Sequence, residues 1–364
     1  MNRSIRVISI IVISGIIILL LWRFSNIVFY LIAALVLSLI GRPIVNFFNS
    51  IKIKNYRFPN LISTIITILL IILFFIIAVW IFIPLVANQA EIISRIDFNS
   101  LSNSLESTLR NFENTLVEYK LIGKDESIKQ MIQQQLISFV NFSSFSKLFS
   151  SFIGATGSIF LAIFSIFFIT FFFIKDANIV NNMIDAIIPI KHEQEFRNVI
   201  KQTKHLLSRY FIGISIEVIT MIILLSLGLT IFGVQNALLI GFLGGLLNII
   251  PYLGPIIGAI IGSLIAVSNI LSYGQYHEIV GIILLVCGVF AGANLIDNIV
   301  LQPLIYSSSV KAHPIEIYVV LLIAGSLAGV PGMILAIPSY TVLRIIAKEF
   351  FSQYKIIRHL TRNI

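Results

Sequence analysis

Two apolar stretches, residues 237–270 and 315–346, are each broken near the middle by proline and glycine. The first break reads N-I-I-P-Y-L-G-P from Asn248 to Pro255, and the second reads G-S-L-A-G-V-P-G from Gly325 to Gly332. As straight helices rising ~1.5 Å per residue, either stretch would reach on the order of 50 Å, against a hydrocarbon core of about 30 Å. Proline also lacks the donor N–H and clashes with the preceding turn, so carbonyls are freed inside segments that otherwise belong in lipid. Hydrocarbon cannot satisfy them. Irregular backbone at that depth is tolerated where protein buries it or where it lines a watery cavity, and paired interruptions in two halves of a chain point to a transporter's binding site.

The remainder of the chain supports that setting. Of its 364 residues 58% are hydrophobic and only 11% charged, outside the range of a soluble domain. The reading is an all-α polytopic membrane protein with about eight apolar segments, the lipid bilayer being its first partner. A net charge of +9 raises nucleic acid as a partner, but the basic residues lie in short runs beside apolar segments and form no stripe with interleaved aromatics. Nucleic acid is therefore set aside. The lone Cys287 excludes a disulfide framework and a thiol metal site, and reads as a packing residue. No metal or cofactor is expected. Enzyme signatures are missing: His277-Glu278 is not followed by the second histidine of H-E-x-x-H, and neither G-x-S-x-G nor a Walker A sequence occurs.

Five organisational blocks are expected. Residues 1–86 hold N-terminal spans at 7–21, 26–40 and 61–86; the first is read as retained, because no small-residue cleavage pattern follows it. Arg42, Lys52, Lys54 and Arg57 crowd one loop without an acid, which places that loop in the cytoplasm. Residues 87–150, with six Lys or Arg against seven Asp or Glu, suit an extracytoplasmic helical region. Its stripes, Leu101 to Tyr119 and Ile128 to Phe139, recur at spacings of three and four. Residues 151–209 contain a fourth span and a cytoplasmic amphipathic helix on which Phe196, Ile200, Thr203, Leu207 and Tyr210 share a face. Residues 210–346 form the transport core, opened by a fifth span at 210–232, and 347–364 a basic cytoplasmic tail.

Two topologies keep that tail in the cytoplasm. Both broken stretches are kinked crossings, or both are re-entrant hairpins with tips at Pro251 to Pro255 and Gly329 to Gly332. The loop 271–278 has Glu278 and no Lys or Arg, whereas 302–314 has Lys311, which favours hairpins. A span followed by a hairpin would then occur twice in opposite orientation, an inverted repeat. In either case the helices are expected to restart after Pro255 and after Pro331, presenting unpaired N–H groups to a bound solute.

Several polar residues stand inside apolar runs. Asn294, Asp297, Asn298 and Gln302 fall three or four apart and should line one side of a helix. Asp297 has a substrate, ion or proton role or an interfacial packing role, since an ionised carboxylate at mid-depth costs ~2.5 kcal/mol or more. Glu217 is a paired packing residue or a proton carrier. Asn248 caps the carbonyls released at the first break or contacts substrate. His313 reads as a turn residue beside Pro314.

The run Gly241 to Gly258, D-N-I-V-L-Q-P from Asp297 to Pro303, His313-Pro314 and G-V-P-G-M-I-L-A-I-P from Gly329 to Pro338 together resemble the autoinducer-2 exporter-like (AI-2E) family of bacterial permeases. The resemblance implies a multi-pass protein of the bacterial inner membrane with both termini cytoplasmic. It further implies a homo-oligomer, and members associated with export of a signalling molecule or with sodium–proton exchange. Residues matching its motifs are Asn248, Pro251, Tyr252, Gly254, Pro255, Asp297, Asn298, Pro303, Pro314, Gly329, Gly332 and Pro338. With Asn294, Gln302 and Pro331 added from the broken-helix argument, they supply the candidate transport site, with Asp297 and Glu217 for coupling. Three functions follow: a secondary transporter of a small polar solute or signalling molecule, a sodium or lithium–proton antiporter, and a membrane scaffold that uses 87–150 to bind a partner.

Overall fold

The computed structural model describes residues 23–53, 56–94, 156–176, 193–306 and 313–354, with isolated positions 12, 15, 19 and 20 before them. Most of the first expected span, both stripes of 95–150 and the end of the basic tail lie outside the described residues. Those that are described are almost wholly helical. In order they form α1 (Ser25–Ser50), a two-residue antiparallel ladder β1 (Lys52–Ile53) and β2 (Tyr56–Arg57), α2 (Asn60–Ser94), α3 (Thr156–Lys175), α4 (Glu193–Ile231), α5 (Ala237–Leu247) and α6 (Leu253–Ser272). A short 3₁₀ turn at Tyr276–Glu278 leads to α7 (Ile279–Ile296), a π-turn at Asp297–Leu301, α8 (Gln302–Tyr306) and α9 (Pro314–Phe351).

Six of the described helices are long and apolar enough to cross a membrane: α1, α2, α4, α6, α7 with its π-turn, and α9. Their large side chains face outward, Trp80 at 76% exposure and Ile299 at 71%, as lipid rather than water permits. Several boundaries differ from the sequence reading. Helix α1 runs on through Arg42 and Pro43, so Arg42 belongs to a helix and not to the basic loop. Helix α2 continues to Ser94. The expected surface helix and fifth span are one continuous rod of 39 residues, α4. No Pro separates its amphipathic start from its apolar end, and the helix continues through Gly213 at the junction.

The chain divides into two compact units, one drawn from Met1–Phe75, Ala155–Ile212 and Thr341–Ile364 and the other from Ile76–Gly154 and Gly213–Tyr340. In the first, α1 packs on α3. Gly41 permits it, because a Cβ there would lie 2.8 Å from Ile174 Cδ1. Val45, Ile68 and Ile174 form the local core, and Asn60 Nδ2 donates to the Lys175 carbonyl at 3.0 Å. The ends of α4 and α9 meet through Asn198 Nδ2 donating to Glu349 Oε1 at 2.9 Å and an edge contact of Phe196 with Phe350.

The second unit contains both broken stretches, and both double back. Helices α5 and α6 pack antiparallel: Gly244 Cα lies 3.2 Å from the Cβ position of Gly258, and Asn236 Nδ2 donates to Asn269 Oδ1 at 3.4 Å. Phe290 of α7 is the wedge that fills the space left by Gly244, Gly258 and Gly262. Around it Met221, Leu225, Leu229, Leu239, Ile240, Ala266 and Val286 complete a buried core. In α9 the backbone leaves the helix at Ala328 and at Gly329, whose φ of 59° and ψ of −143° suit glycine alone. Tyr340 Oη donates to Glu316 Oε2 at 2.7 Å. Residues 24 apart in a straight helix would be about 36 Å distant, so this bond requires two antiparallel arms. Helix α9 is thus a hairpin and not a sixth simple crossing. A helix followed by a hairpin occurs twice, α4 with α5–α6 and α7 with α9.

The prolines do not restart the helices as expected. Pro255 and Pro331 lie within the first turn of arms that have already begun, the place where a missing N–H costs least.

Candidate functional site

The polar centre of the second unit is assembled at the tip of the first hairpin. Helix α5 ends at Asn248, and the chain turns through Pro251, Tyr252 and Leu253. Leu253 N donates to the Pro251 carbonyl at 2.8 Å, and Tyr252 between them has φ 66° and ψ −46°. This is a γ-turn of the rare positive-φ form, strained for a residue that carries a Cβ. Gly254 closes the tip. A Cβ there would collide with the Leu247 carbonyl and stand 2.9 Å from Asn248 Cα.

Within this tip Asn248 is 5% exposed, and its Nδ2 donates to Oε1 of Glu217 in α4 at 3.2 Å; Glu217 is itself 2% exposed. The amide does not cap a released carbonyl; it holds a carboxylate. Asn248 also lies beside the Asp297 carboxylate, so one amide stands between two enclosed acids contributed by two other helices. Asp297 has no exposed surface. Its Oδ2 accepts from Gln302 Nε2 at 2.9 Å, and its Oδ1 is enclosed without a hydrogen-bond partner among the described residues.

The π-turn explains the Asp297–Gln302 pair. A regular helix aligns residues three or four apart, whereas one widened turn brings residues five apart onto one face, and such bulges are frequent at functional sites. The expected common stripe is therefore split. Asp297 and Gln302 turn inward, while Asn298, exposed, donates to Asn294 Oδ1 at 3.3 Å on another side.

Beside the tip, a groove of about 570 Å³ runs between α6 and α7, lined by Pro255, Ala259, Ser263, Cys287, Phe290 and Asn294. Pro251 is half-buried at the turn, and the Tyr252 ring makes an edge contact with Tyr318 in the first arm of the second hairpin. The second tip does not join the cluster. Gly329 and Pro331 are exposed and Gly332 packs on the Ala324 carbonyl, so these three stand apart from the carboxylates. His313 accepts from Ile315 N at 3.3 Å, a turn contact.

Sequence reasoning missed a second polar network at the base of the first hairpin. Gln89 Nε2 donates to Ser268 Oγ at 2.6 Å, and Asn236 Nδ2 donates to Gln89 Oε1 at 2.6 Å. Asn269 Nδ2 donates to the Gln235 carbonyl at 3.4 Å. The available signal was an isolated amide at the end of a long apolar run. The Glu316–Tyr340 bond was missed as well, because a spacing of 24 has no local signature.

The profile described as AI-2E family transporter matches residues 8–352. Among curated proteins, the chain is 26% identical over 226 residues to the provisionally named transport protein YueF of Bacillus subtilis, covering 62% of this chain and 59% of that one. It is 28% identical over 183 residues to YrrI of the same organism, also provisionally named a transport protein, covering 50% and 49%. A third, MJ1177 of Methanocaldococcus jannaschii, is 23% identical over 242 residues, covering 66% and 68%. The chain thus spans about half to three-fifths of the two Bacillus relatives. A match that extends over nearly the whole length, both hairpins included, means that the chain belongs to the AI-2E transporter family.

Proposed function

We propose that this protein is a secondary transporter of a small polar solute or signalling molecule, of the autoinducer-2 kind. In this reading the first hairpin tip alternates in access around Glu217, Asn248, Asp297 and Gln302. The observation that carries it is one amide, on a strained tip, held between two enclosed carboxylates from different helices. Such acids are costly at membrane depth unless a donor, proton or cation compensates them. A tip that moves would change that compensation. Residues 210–346 would form the transport core, 87–150 an extracytoplasmic region and 347–364 a cytoplasmic tail. The protein would be a homo-oligomer in the bacterial inner membrane with both termini inside. Comparing metabolites exported by cells carrying the wild type or Asp297→Asn tests this; identical export profiles at equal membrane abundance would reject it.

The juxtaposition of two carboxylates favours one second reading, cation–proton exchange. Proteoliposomes separate the two. A pH-driven sodium flux abolished by Asp297→Asn or Glu217→Gln supports exchange, and solute efflux that persists without sodium supports the first reading. Sidedness is checked with Gly274→Cys and Ser309→Cys: labelling of Gly274→Cys alone from outside agrees with re-entrant hairpins, and labelling of Ser309→Cys alone excludes them.

A further inference from the structure

The amide network at the base of the first hairpin backs a cavity that the carboxylate cluster does not use. This cavity, of about 520 Å³, opens between the α4–α5 connection, the end of α6 and the start of α7. It belongs wholly to the second unit. The 16-residue interval from Leu253 to Asn269 on α6 sets it about 24 Å from the hairpin tip. Its walls are fixed by their own backbones. At the end of α4, Val234 N donates to the Leu229 carbonyl at 2.9 Å and Gly233 N to the Thr230 carbonyl at 3.0 Å. At the end of α6, Gln275 N donates to the Ile270 carbonyl at 3.2 Å and Gly274 N to the Leu271 carbonyl at 3.1 Å. Gly233 and Gly274 have φ of 71° and 73°, so both helices stop at the same doubly bonded cap with a left-handed glycine. Behind them Asn269, 2% exposed, accepts from Asn236 and donates to the Gln235 carbonyl, while Gln89 ties Asn236 to Ser268.

The side chains on this frame select a class of ligand. Gln235, Tyr273 and Gln275 line the cavity, are exposed, and have no side-chain hydrogen bond among the described residues. Amide and phenol groups supply both donors and acceptors, which is what an alcohol hydroxyl requires. No Lys or Arg lines the cavity, so nothing there selects an anion. Glu278 is its one carboxylate; Oε1 lies 3.6 Å from His277 Nε2 and more than half of the side chain is exposed, a weak hold on a cation. The rings of Phe232 and Tyr273 add apolar surface suited to the C–H face of a sugar. The volume falls within the ~300–1,000 Å³ of pockets that enclose small molecules, and walls already fixed lower the entropy lost on binding.

We propose that this cavity is a binding site for a neutral polyhydroxylated solute of monosaccharide size, held by the amides of Gln235 and Gln275 and the hydroxyl of Tyr273. Binding there is separate from events at the carboxylate cluster and is read without any flux. The full chain, purified in an oxyethylene detergent whose headgroup carries no sugar, is dialysed to equilibrium against radiolabelled D-glucose, D-ribose or choline. Saturable binding of at least one of the two sugars, tighter than that of choline, is expected. Gln235→Ala, Gln275→Ala and Tyr273→Phe should each weaken it by about fivefold. Their side chains are exposed and bond nothing internally, so the melting midpoints should match the wild type. Thr230→Val should bind as the wild type does, because that hydroxyl donates to the Ser226 carbonyl of its own helix at 2.7 Å. Deuterium exchange over residues 232–236 and 269–282 should slow in the presence of the bound sugar. Saturable binding of neither sugar, binding of choline alone, or sugar binding unchanged in all three variants would overturn the proposal.

Discussion

Gly254→Ala is the sharpest perturbation of the hairpin tip. The new methyl would meet the Leu247 carbonyl oxygen, with the carbonyl carbon at 2.6 Å and Asn248 Cα at 2.9 Å. All three are backbone atoms, so no rotamer change relieves the contact. Bringing the carbon to an ordinary ~3.5 Å requires the two strands of the tip to part by about 0.9 Å. The Asn248–Glu217 bond stands at 3.2 Å, and such a bond is lost by about 3.6 Å. Less than half of the required opening therefore detaches the amide from the acid. Overpacking of this kind costs about 1–3 kcal/mol, enough to remodel the tip and too little to unfold a packed bundle. Hydrogen exchange over residues 246–256 should accelerate, and export should fall at least tenfold at normal membrane abundance. Gly281→Ala is the control, since nothing lies within 4 Å of its Cβ position. Wild-type exchange at the tip together with wild-type export in Gly254→Ala would refute the reasoning.

Asp297→Asn keeps an acceptor for Gln302 while removing the charge, so it should insert and melt like the wild type yet lose flux by tenfold or more in proteoliposomes. Pro255→Ala should shift the melting midpoint little, because the break is set by Tyr252 and Gly254 and α6 already contains Pro255 in its first turn; a large loss of export would contradict this. Tyr340→Phe removes a hydroxyl bond to a carboxylate, worth ~1.5–3 kcal/mol, and thermal unfolding of the purified variant should register it. Gln89→Leu removes two bonds from the base of the first hairpin; it should cost about 1–3 kcal/mol and be visible in the same assay with flux per folded molecule unchanged.

What the sequence made legible was set by local chemistry. Helical periodicity, apolar length and proline–glycine clusters located the spans and both breaks, and a lone acid in an apolar run marked Glu217 and Asp297. Pairings that depend on backbone irregularity stayed hidden. Asn294, Asp297, Asn298 and Gln302 share a face only if every turn has 3.6 residues, and the π-turn at Asp297–Leu301 invalidates that premise. The side-chain partner of Asn248 stayed hidden for a related reason: the released carbonyls it was expected to cap are local, but Glu217 is 31 positions away on α4. The merger of two expected elements into α4 shows that a change from basic amphipathic to wholly apolar residues can occur within one rod.

Both hairpins return the polypeptide towards the end from which it set out. A doubled-back element therefore adds nothing to the parity of bilayer traversals, however deep its tip reaches. Had α5–α6 or α9 been one bent traversal, every later segment would be inverted, and its gain or loss during evolution would turn the downstream protein inside out. With both stretches doubled back, the described helices from Gly213 to Tyr340 leave only α4 and α7 as single passes. The hairpins, which carry the strained turn and the glycine kink, are free to vary in length without that penalty.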